Sequence, residues 1–314
     1  MEGDLMENTI FVNIASFIDS DLRYTILNCI NQAKCPENLV FGINLQYKDE
    51  PDCTEDSIDD LVSKYNIRII KYPYEESLGG CWARNKVSYL YKEEKYQLQL
   101  DAHIRLIKNW DSEVIEQYEE LVRSGIKKPI LSYLSPLFMK HKELGLDYQF
   151  NHINELQIMN VPKVESICSD YFPTFTGYTN ELDSENKNRN VPILYCGFVF
   201  SYGNWVTEIR NDPEHYYTGE EFALSMRSYT HGWDIYQPKR IVSWHKSTNI
   251  HDPVHRHHYH VFLDHNHLHR RAMDRLKALV FEEDFGEYGL GKVRTLQQYE
   301  EFAKLDIKNM KILG

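Results

Sequence analysis

The sequence predicts an α/β protein with a mostly parallel sheet flanked by helices. Three observations carry this. Short β-branched runs alternate with stretches of helical spacing through the first 111 residues. Breaker or acidic residues separate them, as a βαβαβαβ order requires. Hydrophobic residues make up 42% of the chain and aromatics 13%, which suffices for a sizeable core.

The elements follow in order. Thr9 to Ser16 reads as the first strand. Asp19 to Ala33 reads as a helix, with Leu22, Ile26, Leu27 and Ile30 on one face. Leu39 to Leu45 is a second strand, Ser57 to Tyr65 a helix and Ile67 to Ile70 a third strand. Ser77-Leu78-Gly79-Gly80 breaks the pattern before a helix over Cys81 to Tyr91. Tyr96 to Leu100 is a fourth strand, ending at Asp101. A helix over Trp110 to Ser124 and a strand over Pro129 to Tyr133 follow. Residues 135 to 190 are polar and turn-rich and read as an insertion. A strand over Ile193 to Tyr202, a helix over Gly219 to Tyr229, a short strand over Ile241 to Trp244 and a helix over Leu268 to Phe281 complete the reading.

Charge and cysteine usage narrow the function. The 314 residues carry a formal charge of −12, which disfavours a general nucleic-acid or anionic-membrane binder. The six cysteines form no CxxC pair and no disulfide framework. Neither a signal peptide nor an apolar run approaching ~18 residues is found, so the expected location is the cytoplasm and no membrane span is expected. There is no GxGxxG after the first strand and no GxxxxGK[ST] anywhere, which disfavours an ordinary dinucleotide or P-loop site.

Ligands of open parallel sheets sit beyond the carboxyl ends of the strands. That places Ser16-Phe17, Gln46-Tyr47 and Asp101 near one crevice. In an extended segment Asp101 and His103 point to the same side and offer an oxygen and a nitrogen to one divalent cation. Alone, the tripeptide favours a capped turn and a packed histidine. His245, ending another strand-like run, adds a third ligand if that run reaches the same edge. Thr218 reads as an N-cap with Glu221 as its capping-box partner, which would leave Glu220 for a ligand; the sequence does not say which carboxylate does which. Gly79-Gly80 opens a helix whose free N–H groups favour anions, with Arg84 adding a cation suited to phosphate or a salt bridge. Eight of the 14 histidines lie between His251 and His269, with His251/His255 and His265/His269 at i, i+4 spacing. Zinc binding, a solvated loop and a phosphate lid all fit that tract.

These motifs, in this order, resemble the polypeptide N-acetylglucosaminyltransferase family of the Skp1-hydroxyproline type. They are more distantly similar to polypeptide N-acetylgalactosaminyltransferases. The resemblance runs through IFVNIASFIDSD (10–21), SLGGCWARN (77–85) and LQLDAHIRLIKNWD (98–111). It resumes at GFVFSYGNWVTEI (197–209), YYTGEEFALSMRSYTHGWDIYQP (216–238) and IVSWH (241–245).

The resemblance implies a single GT-A domain over 1–314. Within it lie a nucleotide-binding half (9–111), an acceptor- and sugar-binding half (112–262) and a helical C-terminal segment (263–314). It implies a UDP-sugar donor, N-acetylglucosamine as the expected sugar, Mn²⁺ as the expected cation and retention of anomeric configuration. The acceptor is a hydroxyl on a protein or glycan. Asp101 and His103 correspond to the DxH metal and donor site, and His245 to the later metal ligand. Ala15, Ser16 and Phe17 fall where the first strand meets the nucleotide, and Arg84 and Gly197 with the donor. Glu220 and Glu221 match the acidic motif at the sugar and acceptor side. A metal-dependent hydrolase using the His-rich tract and a non-catalytic UDP-sugar-binding module are the alternatives.

Overall fold

The computed structural model describes residues 8–138, 163–167, 173–176, 187–217, 219–246, 261–262, 266–282 and 285–313. Four strands build the first half: β1 (Ile10–Phe17), β2 (Leu39–Tyr47), β3 (Ile67–Pro73) and β4 (Tyr96–Asp101). They alternate with helices α1 (Leu22–Gln32), α2 (Asp59–Lys64) and α3 (Gly80–Ser88). Next come β5 (Ile104–Leu106), α4 (Trp110–Arg123), β6 (Pro129–Ser132), β7 (Leu137–Phe138), β8 (Lys163–Ile167), β9 (Pro173–Thr176) and β10 (Arg189–Asn190). The remainder is β11 (Phe198–Tyr202), α5 (Trp205–Glu208), α6 (Glu220–Thr230), β12 (Asp234–Gln237), β13 (Ser243–Lys246), α7 (Asn266–Phe281), α8 (Leu296–Ala303), β14 (Leu305–Asp306) and β15 (Lys311–Ile312).

The main sheet has eight strands in the order β10-β12-β6-β11-β4-β1-β2-β3. β3, β2, β1 and β4 run parallel, as expected from strands joined by helical crossovers. β11 is antiparallel to both β4 and β6. The carboxyl end of β4 therefore meets the amino end of β11, with Phe198 opposite Leu100. The core on one side joins Ile14, Ile26, Leu98 and Phe200 to Trp110, Val114, Tyr118 and Leu121 of α4, whose spacing of three to four residues gives one apolar face. Trp110 Nε1–H donates to the Cys29 carbonyl at 2.9 Å, so that burying the indole leaves no orphaned donor.

A second sheet, β5-β13-β7, stands beside the carboxyl end of β4. Its centre is His245, paired with Ile104 on one side and Leu137 on the other. The expected strand over Ile241 to Trp244 lies two residues further on, and β5 was not anticipated. His245 consequently sits inside a strand rather than at its end.

The strand expected over Ile193 to Tyr202 forms only from Phe198 onward. Upstream, backbone N–H groups bond to side chains instead of a ladder: Leu194 to Ser225 Oγ, Tyr195 to Ser132 Oγ and Cys196 to Glu221 Oε1. Five cysteines are free thiols among the described residues. Cys168, Thr218 and most of the His-rich tract lie outside the described residues. No described helix is long and apolar enough to cross a membrane.

Candidate active site

The carboxyl ends of β1, β2 and β4 open onto a cavity of about 240 Å³. Ala15, Phe17, Asp19, Gln46, Arg84, Asp101, His103, Gly197, Glu220, Glu221 and His245 are among its lining residues. Of the donor, metal and acidic-motif residues that the family resemblance implies, all but Ser16 are in that lining; Tyr47, expected near the crevice, is not. Strand alternation explains the position of Ser16. Ala15 and Phe17 face the cavity, while Ser16 is fully buried between them.

Asp101 and His103 converge, though not by the strand alternation anticipated. β4 ends at Asp101, and Ala102-His103 forms a turn before β5. Thr25 of α1 pins that turn, donating to the Ala102 carbonyl at 2.7 Å and accepting from Ile104 N–H at 3.2 Å. The result brings His103 Nε2 to 2.9 Å from His245 Nε2, with the rings perpendicular. His245 Nε2 lies 3.5 Å from Asp101 Oδ2. One ligand atom from each of the three residues falls within 4.8 Å of the others. Two imidazole nitrogens and a carboxylate aimed at one point form a donor set suited to a divalent cation. Among the described residues it is the one cluster of metal-ligating type.

Arg84 adjoins this cluster through Asp101. It projects from α3, which begins after Gly79; that glycine has φ +103°, and an added Cβ would meet Tyr216 Cδ2 at 2.7 Å. One guanidinium nitrogen donates to Glu220 Oε1 at 2.7 Å and another to Asp101 Oδ1 at 2.8 Å. Arg84 is thus a buried bridge between two carboxylates. Burial of Asp101 opposes its ionisation, but the hydrogen bond to His245 and the charges of Arg84 and His103 hold its carboxyl well below the usual range.

Glu221 differs from its neighbour. Desolvation pushes its carboxyl up to about 7, partly offset by the Cys196 N–H that bonds Oε1 at 2.9 Å. Thr218, the expected N-cap and capping-box partner of Glu221, lies outside the described residues. Gly219, with φ +81°, occupies the N-cap position of α6.

Gly197 explains itself by contact. A Cβ there would lie 2.8 Å from Asp101 Oδ2. Gly197→Ala is expected to displace the Asp101 carboxylate and weaken cation binding at least ~10-fold with little change in melting temperature. Calorimetric titration of Mn²⁺ beside a thermal melt checks this.

A family described as Glycosyltransferase (GlcNAc) matches the chain over residues 9–60 and 48–309. The chain belongs to that family. The chain matches no curated protein in a search of their sequences. Its fold is similar to solved structures. One is GalNAc-T7 with UDP, GalNAc and Mn²⁺ (TM-score 0.58, 14% identity, 96% of this chain and 55% of that one). Another is S. aureus TarS 1-349 in complex with UDP-GlcNAc (TM-score 0.50, 11% identity, 94% of this chain and 70% of that one). At such identities the likeness carries the fold, which is GT-A, as expected. The chain spans about half the length of the GalNAc-T7 chain.

Asp19 was missed at the sequence level. It reads there as the start of a helix, yet it is buried and bonds His103 Nδ1 at 2.8 Å. The signal available was its place at the carboxyl end of β1, where site residues of such sheets gather.

Proposed function

We propose that this glycosyltransferase moves N-acetylglucosamine from UDP-N-acetylglucosamine to a hydroxyl of a protein or glycan, with retention of configuration and Mn²⁺ as the cation. The observation that carries the reading is the convergence of Asp101, His103 and His245 in the same cavity as Arg84, Glu220 and Glu221. The presence of UDP and Mn²⁺ in GalNAc-T7 and of UDP-GlcNAc in TarS supports it. We place the protein in the cytoplasm, the address that a sequence with six cysteines and no disulfide spacing points to.

When bound, a divalent cation at these ligands supplies Lewis-acid stabilisation to the departing diphosphate. The chain's residues do the rest. Arg84, locked by two hydrogen bonds, keeps a fixed positive charge beside Asp101 without reorganisation during the reaction. Phe17 and Ala15 shape the nucleotide end of the cavity. A Glu221 carboxyl that titrates near neutrality both donates to and accepts from sugar hydroxyls. An acceptor hydroxyl attacking from the leaving-group face passes its proton to the departing phosphate oxygen, so no separate protein base is needed.

The direct test incubates the purified protein with UDP-sugars, with Mn²⁺ or excess chelator, and measures UDP release and acceptor mass. Turnover with UDP-N-acetylglucosamine should cease in chelator and return with Mn²⁺. Full turnover in chelator would refute the cation's role.

Binding of Mn²⁺ should also depend on pH. Burial alone would lower the His245 pKa, but its hydrogen bond and attraction to Asp101 raise it above the ordinary histidine value. A cation must displace that proton. Affinity should therefore weaken progressively as pH falls through the raised pKa and level off above it. Titration of Mn²⁺ between pH 6 and 8.5, ranges chosen around the ~6.5 reference, reads this directly; a flat profile would exclude His245 as a ligand.

A further inference from the structure

We infer that Asp19 is the positioning residue of the cation site, holding the His103 ring in its Nδ1–H form so that Nε2 presents a lone pair toward Asp101 and His245. The inference rests on the cation reading above and concerns a residue that reading does not use.

Four observations support it. Asp19 is 5% exposed, and its Oδ2 lies 2.8 Å from His103 Nδ1. A neutral imidazole carries one N–H, and the nitrogen facing a carboxylate keeps it, leaving the other nitrogen as a ligand. The second oxygen of Asp19 accepts the Asp21 N–H at 2.9 Å, so the carboxylate is fixed from its own chain as well. Asp21 in turn binds Arg105 at 2.6 Å and Lys246 at 3.3 Å. Those cations stand two residues after His103 and one after His245, and Lys246 N–H donates to the His103 carbonyl at 3.0 Å. The short turn Asp19 to Asp21 thus grips both histidine-bearing segments.

The backbone before the turn is shaped to the same end. Ile18 has φ +45°, a conformation that β-branched residues rarely adopt, and its N–H bonds the Gln46 carbonyl at 2.9 Å. Without that turn, Asp19 could not face His103 while Phe17 faces the cavity. It also explains why the helix expected from Asp19 begins at Leu22.

The test compares the wild type with Asp19→Ala and Asp19→Asn as full chains. Electron paramagnetic resonance measures Mn²⁺ affinity at saturating UDP, and calorimetry measures UDP affinity in chelator. Asp19→Ala should lose ~10–100-fold in Mn²⁺ affinity, the usual cost of removing a partner behind a ligating histidine. Asp19→Asn should recover most of it, because its amide oxygen accepts the same hydrogen. UDP affinity in chelator should be unchanged in both. Nitrogen-15 spectra of metal-free wild type should show His103 protonated at Nδ1, a readout that needs no variant to fold.

Wild-type affinity for Mn²⁺ in Asp19→Ala would overturn the inference. So would a parallel loss of UDP affinity in chelator, which would make Asp19 a donor contact, or a proton found on Nε2 of His103. A wild type that binds no Mn²⁺ would sink the cation reading itself, and the inference with it, and is distinguished from the other outcomes because it appears before any substitution is made.

Discussion

His245→Ala will reduce sugar transfer at least ~100-fold while the protein remains folded. The figure follows from the chemistry of the leaving group. Lewis-acid stabilisation of a departing diphosphate is worth several kcal/mol, and each ~1.4 kcal/mol is tenfold in rate. His245 is one of the three proposed ligands and contributes from a strand otherwise held by its backbone, through Pro136 and His103. Its imidazole lies at the cavity rather than in a hydrophobic cluster, so its loss leaves packing intact. His103→Ala should match it in activity. Steady-state rates with far-ultraviolet circular dichroism check both, and near-normal transfer by the two purified variants would remove the site from the reaction.

Arg84→Ala is expected to strike stability and activity together. The guanidinium is 10% exposed and bonds Glu220 and Asp101 at once. Truncation leaves two carboxylates facing each other without their shared cation. Breaking a buried pair of this kind typically costs ~3–5 kcal/mol. Denaturant unfolding should show a loss in that range, and UDP affinity should fall in calorimetry. Arg84→Lys should rescue little, because a single ammonium cannot reproduce two bonds from two fixed nitrogens. Unchanged stability and UDP affinity in Arg84→Ala would show that the bridge is incidental.

Periodicity made the first half of the fold legible. β1 to β4 and their helices follow local patterns, and their parallel order requires only short crossovers. The Asp101, His103 and His245 set was legible because each ends or adjoins a strand-like run. What escaped depends on partners far away in the chain. β11 is shorter than its apolar run because Ser225, Ser132 and Glu221 claim the preceding N–H groups. Asp19 looked like a helix start because its true partner is 84 residues on. The bond from Cys196 N–H to Glu221 joins residues 25 apart and has no local signal. α8 was locally readable after all: Thr295 and Gln298 form a full capping box, a T-x-x-Q signal that was passed over.

The insertion of β11 between β4 and β6 has a bearing on synthesis. As the chain leaves the ribosome, β1 to β4 can assemble early, but the strand that covers β4 arrives almost a hundred residues later. Until then β4 presents an open hydrogen-bonding edge ending in Asp101, a surface prone to pairing with other nascent strands. Gln97 and Gln99 sit along that edge and later bond back to β11 and its approach. Polar side chains there keep the waiting strand less adhesive than an all-aliphatic one, and stalled translation before residue 198 should yield a product that depends on chaperones for its solubility.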